Sequence, residues 1–453
     1  NLGNCYYEIK EYQTALNNFE KALEANPKYV RGFLWKLQTE GALEKWDQLV
    51  LDCDKHPEFQ NDVNVMVCKR KALFKLENYA DALKCAEDVL EMEKPDDYED
   101  EVHNYVWKGW ILAHLDERYD EAEKCYEDAI NISPENEQGY RYMADVLIRQ
   151  EKYEESIKFY QKAWELSKDN EMLIAKGKVI KKIANKENSK EKLNEALGIF
   201  EEVIKNDVKN GHAWWEKGNC NWNLKNYDES EKCYLEACKL DPEEARTWCD
   251  LGDLAIKRKS PDEALLFFEK ALFYDETDVN AHIGIATAYR YLKQYSKSIQ
   301  SINKALSIDE DNSSALYEKC ICLGESGDHE ESIKAHLEYI DKFPDEDIAE
   351  AWAGTAASQN KLSKYPEALT SCENALKIDS KNVLALQEKG TALETQKKYP
   401  EAIECFENCN NLDPEHRAFF LTRIISCCKK SGDRAKQEEY EEKRRDYEND
   451  DGT

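Results

Sequence analysis

The sequence predicts an all-α fold made of about thirteen consecutive helix–turn–helix units. The chain superposes on itself at a spacing of about 34 residues, a period that accommodates two helices and their turns. Small residues recur once in each half of this period, where they let two helices approach closely. Only ten prolines interrupt the 453 residues. These three observations indicate a helical repeat protein, which grows by addition of units and not by addition of globular domains.

The repeat register is clearest between Trp214 and Pro414. The first helix of each unit carries a mostly small residue, at Gly218, Gly252, Ala286, Cys320, Ala356 and Gly390. The second helix carries a small residue, then a bulky or adaptable one four positions later, at Ser230 and Tyr234, Ala264 and Phe268, Ser298 and Ile302, Ser332 and His336, Ala368 and Cys372, and Ala402 and Phe406. The same register runs back, less regularly, to Gly3. Each second helix is therefore expected to fill the gap between successive hairpins.

Four segments follow from this register. We expect residues 1–175 to form an N-terminal array of about five repeats, the first of them truncated, and residues 176–210 to form an irregular repeat with an extended loop. Residues 211–414 are expected to form six regular repeats, and residues 415–453 two capping helices with an acidic tail. An acidic linker is expected at residues 93–101. Because the chain opens in the middle of a repeat, we expect an upstream portion to be missing.

The best-formed unit, WWEKGNCNWNLKNYDESEKCYLEACKLDP from Trp214 to Pro242, resembles the tetratricopeptide-repeat family. That family repeats Trp, Leu-Gly, Tyr, Ala, Phe, Ala and Pro in this order. The next unit matches it at Trp248, Gly252, Ala264, Phe268 and Ala271. The resemblance implies a right-handed α-solenoid superhelix whose first helices line a concave groove. It also implies that partner peptides bind in that groove.

Composition narrows the classes of partner. A formal net charge of −30 and a pI near 4.8 disfavour nucleic acid and anionic membrane surfaces, because both require basic patches. The sequence contains no run of about 18 apolar residues, so it does not predict a membrane-spanning helix. Sixteen cysteines are spread along the whole chain, which favours reduced core thiols over a disulfide scaffold. We therefore predict a cytoplasmic protein with protein partners.

The sequence predicts no catalytic residue, no metal site and no cofactor. It contains no CxxC, no HExxH and no glycine-rich phosphate loop. The best candidates for a group of metal ligands are Cys405, Cys409 and His416, and the adjacent pair Cys427 and Cys428. Cysteines recur at equivalent repeat positions, which is the pattern of core packing, whereas zinc needs four converging ligands.

The resemblance assigns the partner-binding groove to fixed positions of the first helices. Between residues 103 and 222 these positions carry basic and aromatic side chains: Trp107, Trp110, Arg141, Tyr142, Lys178, Lys181, Lys182, His212, Trp215, Asn219 and Trp222. Arginine and aromatic side chains are common interface anchors. Further along, acidic positions such as Asp250 and Glu388 are interspersed with Arg290, Tyr291 and Tyr317. The alternative for the tryptophans is that they pack against neighbouring helices, and for Trp215 and Trp222 both readings stay open.

The leading functional hypothesis is a non-catalytic interaction scaffold or assembly adaptor. It would hold an extended partner segment with acidic or aromatic residues along the groove. A second hypothesis is a regulatory or substrate-recruiting arm of an enzyme complex whose catalytic part lies upstream or on another chain. A third is a self-associating array.

Overall fold

A computed structural model of the chain describes residues 2–92, 101–115, 117–344, 346 and 348–450. Residues 93–100 of the expected acidic linker and residues 451–453 of the acidic tail lie outside this description. The described residues form 26 α-helices and no strand, so the predicted all-α fold of about thirteen helix–turn–helix units is confirmed. None of these helices is long and apolar enough to cross a membrane.

The chain divides into two compact units, residues 1–230 and residues 231–453. The helices that lie wholly in unit 1 are α1 (Leu2–Glu8), α2 (Tyr12–Ala25), α3 (Val30–Ala42), α4 (Trp46–Lys55), α5 (Val63–Lys75), α6 (Tyr79–Glu91), α7 (Glu101–His114), α8 (Tyr119–Ile132), α9 (Glu137–Arg149), α10 (Tyr153–Ser167), α11 (Asn170–Glu187), α12 (Lys190–Asn206) and α13 (Gly211–Asn223). Helix α14 (Tyr227–Leu240) contains the division.

The helices that lie wholly in unit 2 are α15 (Ala245–Lys257), α16 (Pro261–Tyr274), α17 (Val279–Tyr291), α18 (Tyr295–Ile308), α19 (Ser313–Ser326), α20 (His329–Lys342), α21 (Ala349–Lys361), α22 (Tyr365–Ile378), α23 (Val383–Thr395), α24 (Tyr399–Leu412), α25 (Arg417–Ser431) and α26 (Arg434–Asp450). The last two are the predicted terminal helices. They are joined at Gly432, whose φ of +80° is a left-handed conformation that glycine adopts without strain.

Within each unit the helices pack as successive hairpins, an odd-numbered helix followed by an even-numbered one. An odd-numbered first helix also contacts the first helix of the next hairpin, as α7 contacts α9 and α19 contacts α21. The first helices of a unit therefore form one layer. We call the solvent-facing side of that layer the first-helix face of the unit.

Glycines in the first helices seat the large rings of the second helices. A Cβ added at Gly109 would lie 2.7 Å from the Tyr126 ring, and one added at Gly390 would lie 2.8 Å from the Phe406 ring. Both rings are almost completely buried. The small residue and the ring that recur in the sequence are thus two sides of one contact, which explains why they keep a constant spacing.

The irregular repeat differs from its prediction. The extended loop expected within residues 176–210 is absent, since only Asn188 and Ser189 separate α11 from α12. The extra residues lengthen the helices instead, to 18 residues in α11 and 17 in α12. The segment is rich in lysine, glutamate and alanine, which favour helix, and Ser189 caps α12 by accepting a hydrogen bond from the Lys192 amide. The four segment boundaries themselves stay a prediction.

Candidate functional site

Aromatic rings form a cluster on the first-helix face of unit 1, across α5, α7 and α9. The Phe74 ring lies 5.7 Å from Trp107 and 4.8 Å from Trp110, measured between ring centroids. Trp107 and Trp110 are 5.0 Å apart, and Trp110 is 5.9 Å from Tyr142. All four side chains are partly buried. The structure therefore brings together three of the predicted residues, and each keeps part of its surface exposed.

Two exposed arginines lie beside this cluster on α9. The guanidinium of Arg141 is 5.6 Å from the centre of the Tyr142 ring, and Arg149 lies 3.3 Å from Nε2 of His114. Asp145, on the same helix, accepts a hydrogen bond from the Tyr160 hydroxyl. Burial raises the pKa of Asp145, and the bond from Tyr160 opposes that shift. Among the described residues neither arginine forms an ion pair, so both cations remain available to a ligand.

The three predicted lysines of α11 have different surroundings. Lys178 is exposed and has no hydrogen bond or ion pair with any described residue. The Lys182 ammonium lies 5.1 Å from the centre of the Tyr153 ring and is also exposed. Lys181 is instead partly buried and forms an ion pair with Glu216 of α13. Two of the three are therefore free for a partner, whereas Lys181 holds two repeats together.

Helix α13 carries a carboxylate at the centre of the remaining predicted residues. The Glu216 side chain is only 1% exposed, and besides Lys181 it has His212 at 3.8 Å. The His212 ring lies 5.9 Å from Trp215. Trp215 is partly buried and lies 5.7 Å from the Lys181 ammonium. The structure therefore groups His212 and Trp215 around a buried ion pair.

Asn219 and Trp222 lie further along α13 and are partly buried. The Trp222 ring contacts Tyr227 of α14 edge-on, with centroids 5.7 Å apart. The sequence left open whether Trp222 is exposed in the groove or packed on a neighbouring helix. In the structure its ring packs on α14 and still reaches solvent.

The predicted residues of unit 2 lie apart from those of unit 1 along the chain. The Arg290 guanidinium bonds to Glu318 at 2.6 Å and to Glu325 at 2.8 Å. Burial opposes its charge, but the bonded carboxylates outweigh burial and raise its pKa. Tyr291 is 57% exposed beside it, and Tyr317 is partly buried against Tyr339. Arg290 is therefore a structural cation, while Tyr291 is accessible.

Four residues of the unit 1 face were not predicted from the sequence. Phe74 lies on α5, so extending the register upstream would have found it, whereas His114 lies on α7 with Trp107 and Trp110 and was passed over within the range considered. Asp145 and Glu216 also occupy groove positions. They were not predicted because the sequence analysis considered mainly the basic and aromatic residues at these positions. Glu216 forms an ion pair with Lys181, whereas Asp145 accepts a hydrogen bond from Tyr160, and burial raises its pKa.

The cysteines pack mainly in the core. Fourteen of the sixteen are buried, Cys68 is partly buried and Cys5, on the seven-residue helix α1, is exposed. Burial raises the pKa of the Cys125 and Cys405 thiols to about 11, which keeps both protonated. Among the described residues no three histidine, cysteine, aspartate or glutamate side chains are grouped as a metal site would need.

Comparison with known families finds repeated matches. Profiles of the tetratricopeptide repeat match residues 1–29, 102–136, 143–170, 211–244, 245–278, 279–312 and 384–416, together half of the chain. The matched segments include most of α7 to α10 and all of α13, whereas residues 137–142, with Arg141 and Tyr142, and the three lysines of α11 lie outside them. Helix α12 and all of α11 except its first residue fall outside the matched segments.

Curated relatives are similar over short stretches. Human protein O-mannosyl-transferase TMTC3 is 24% identical over 226 residues, 42% of this chain and 25% of that protein. Mouse sperm-associated antigen 1 is 31% identical over 91 residues, 20% of this chain and 10% of that protein. Human N-alpha-acetyltransferase 16, NatA auxiliary subunit, is 29% identical over 134 residues, 30% of this chain and 15% of that protein. The chain thus spans a quarter or less of each.

Two solved structures align over most of the chain. A chain of the APC/C hetero-tetramer Cut9-Hcn1 gives a TM-score of 0.48 at 12% identity, covering 94% of this chain and 95% of that one. Yeast Tom70 gives a TM-score of 0.39 at 16% identity, covering 96% and 95%.

Proposed function

Because the chain belongs to the tetratricopeptide-repeat family, we propose that it is a non-catalytic interaction scaffold or assembly adaptor that binds an extended partner segment on the first-helix face of unit 1. The partner segment carries acidic residues with aromatic residues between them. The observation that carries this proposal is a group of exposed cations, among them Arg141, Lys178 and Lys182, on a chain whose net charge is −30.

The charge of this face supports an acidic ligand. The buried carboxylate of Glu216 is paired with Lys181 and so does not compensate Lys178 and Lys182, while burial raises the pKa of Asp145, the carboxyl group near Arg141. Exposed cations on one face attract an anionic segment at short range. An arginine can also bind a carboxylate through two parallel hydrogen bonds, which fixes the orientation of the two groups. The surrounding acidic surface would repel the same segment elsewhere, so the contrast also provides specificity.

The aromatic cluster supports aromatic residues within that segment. Trp107, Trp110 and Tyr142 are held by one another and by Phe74, so binding costs them little further side-chain entropy. Aromatic rings that are already held in place and still reach solvent are common anchors of interfaces. The segment would lie across the successive first helices α7, α9, α11 and α13.

The proposal is tested by selecting binding peptides from a random display library against the full chain. We expect the selected peptides to be enriched in aspartate, glutamate and aromatic residues. The triple variant Arg141→Glu, Lys178→Glu and Lys182→Glu is expected to bind them at least tenfold more weakly, because three attractions become repulsions.

A matched control separates this face from the overall charge. The variant Lys124→Glu, Lys158→Glu and Lys162→Glu makes the same charge change on exposed residues of the second helices α8 and α10. We expect it to keep wild-type affinity. Peptides without acidic or aromatic enrichment, or equal losses in the two triple variants, would refute the proposed face.

The second hypothesis, an arm of an enzyme complex, stays a prediction. One relative is named N-alpha-acetyltransferase 16, NatA auxiliary subunit, and is 29% identical to this chain over 134 residues. An arm of this kind would use the same face, so peptide binding alone does not separate the two functions. Identification of the chains that co-purify with the protein does, because only the second hypothesis requires a catalytic chain among them. The cytoplasmic location likewise stays a prediction.

A further inference from the structure

Polar side chains link successive first helices of unit 2 at one recurring place. Arg290 of α17 donates to Glu318 of α19 at 2.6 Å, and Asn360 of α21 donates to Glu388 of α23 at 2.9 Å. In the repeat register these are the same two positions, one in each of two neighbouring first helices. We call each such link a rung of the first-helix face.

The rung between α19 and α21 is missing. The residue of α19 that corresponds to Arg290 and Asn360 is Gly324, and the residue of α21 that corresponds to Glu318 and Glu388 is Gly354. A cavity of about 720 Å³ lies beside these two glycines, bounded by α19, α20, α21 and the start of α23. The gap thus lies between two bonded rungs, whereas the pair α15 and α17 carries Ile256 and Gly284 at the same two positions.

The floor of this cavity is a buried histidine. His336 occupies the position that holds Phe268 and Phe406 in other repeats, and it is 3% exposed. Its Nδ1 lies 2.8 Å from the Ser332 carbonyl oxygen, which can only accept, so Nδ1 carries the proton. Burial lowers the pKa of the ring and keeps it neutral.

The other nitrogen of His336 lacks a partner. In the neutral ring Nε2 is a hydrogen-bond acceptor, and among the described residues nothing donates to it. It lies against Gly354, in the space that a side chain at that position would occupy. Because the His336 residue is only 3% exposed, Nε2 has little access to water, and a donor that reached it through the cavity would supply the hydrogen bond that it lacks.

The rest of the cavity determines what kind of donor fits. Most of its wall is apolar, formed by side chains such as Tyr317, Ile321 and Leu384. The carboxylates of Glu325 and Glu350 lie at its exposed edge, where Arg290 and Asn382 already bond to them, and Lys361 lies there as well. A buried cation would therefore lack a carboxylate of its own. A neutral aromatic group with one donor and no acceptor matches both the wall and the floor.

We propose that this cavity binds the side chain of a tryptophan from a partner segment, with the indole N–H donating to Nε2 of His336. The indole is the one aromatic side chain that only donates. Its ring fills the missing rung against Tyr317 and the two glycines. The site lies in unit 2 and is independent of the basic face of unit 1, so it adds a second point of attachment for a partner.

The test measures binding of 5-fluoroindole to the full chain by fluorine NMR line broadening. The matched probe is 5-fluoro-1-benzothiophene, which has a similar shape and lacks the N–H. We expect 5-fluoroindole to bind with a dissociation constant on the order of 1 mM, as suits a ligand of about ten heavy atoms. The benzothiophene is expected to bind at least tenfold more weakly.

Two variants locate the binding. Ala357→Leu fills the cavity, and His336→Phe removes the acceptor while restoring the ring that other repeats place over glycine. Each is expected to weaken 5-fluoroindole binding at least tenfold, with circular dichroism unchanged. Ala418→Leu, an exposed alanine of α25 away from the cavity, is the control and should bind like wild type. Absence of binding at millimolar concentration, equal affinity for the two probes, or wild-type affinity in Ala357→Leu would overturn the proposal.

Discussion

Individual charged residues of the first-helix faces divide into two groups that look alike in the sequence. Lys181 and Arg290 hold buried carboxylates of the next repeat, whereas Arg141, Lys178 and Lys182 are exposed. The first group stabilises the stack of hairpins, and the second is available to a partner. Substitutions in the two groups should therefore affect different measurements.

Arg290→Met tests the structural group. The side chains of Arg290 and Glu318 are 11% and 10% exposed, so removing the guanidinium leaves a nearly buried carboxylate without its cation. We expect a loss of about 2–4 kcal/mol in the free energy of unfolding, measured by urea titration followed by circular dichroism. Arg434→Met, at an exposed arginine of the same unit, should cost less than about 0.5 kcal/mol. Equal losses would contradict the assigned role of Arg290.

A buried carboxyl in unit 1 predicts a pH dependence. The Glu40 side chain is 1% exposed, and burial raises its pKa to about 8, although Lys36 lies 3.5 Å away and Asp52 is bonded to the same lysine. Between about pH 5 and pH 8 the folded chain keeps a proton that the unfolded chain has released. Stability is therefore lost as pH rises, by up to about 1.4 kcal/mol per pH unit.

Glu40→Gln should remove that loss. Its stability relative to wild type is expected to increase from pH 5 to pH 8 and then to level off, as followed by urea titration at several pH values. Glu24→Gln, at an exposed position of α2, is the control and should show no such trend. A pH-independent difference between Glu40→Gln and wild type would show that the carboxyl is not buried as described.

At the scale of the helices, stability depends on close contact between the two helices of a hairpin. Gly109 lies against the buried ring of Tyr126, whereas Gly198 of α12 has nothing within 4 Å of an added Cβ. The same chemical change at the two sites should therefore have opposite effects.

Gly109→Ala is expected to destabilise the chain by about 1–3 kcal/mol, because the ring must move out of its seat. Gly198→Ala is expected to stabilise it by about 0.5–1 kcal/mol, because alanine loses less backbone entropy in a helix. Thermal unfolding followed by circular dichroism measures both. A stabilising Gly109→Ala would contradict the glycine–ring packing.

The repeat register predicted the hairpins well because each glycine–ring contact joins the two helices of one hairpin, as between Gly109 and Tyr126 or Gly390 and Phe406. It predicted the residues of the face for the same reason, since their positions follow from the register. It did not predict which cations are free, because the partner of Lys181 is 35 residues away on the next hairpin. The longer helices α11 and α12 were missed because extra residues in a repeat can extend either a loop or a helix.

For the whole molecule, the most important feature is the contrast between the acidic chain and the basic first-helix face of unit 1. A chain with a net charge of −30 carries exposed cations on the first-helix face of unit 1, beside fixed aromatic rings. An acidic exterior keeps such a chain soluble and limits non-specific binding, while the basic face selects its ligand. The vacant rung above His336 adds a site of different chemistry in unit 2.

Hydrogen–deuterium exchange of the full chain, with and without a selected acidic and aromatic peptide, tests the central claim most directly. We expect new protection in the first helices α7, α9, α11 and α13 of unit 1, and no change in the second helices α8 and α10. The triple glutamate variant of Arg141, Lys178 and Lys182 should lose that protection. Protection confined to the second helices, or protection that persists in the triple variant, would contradict binding on the first-helix face.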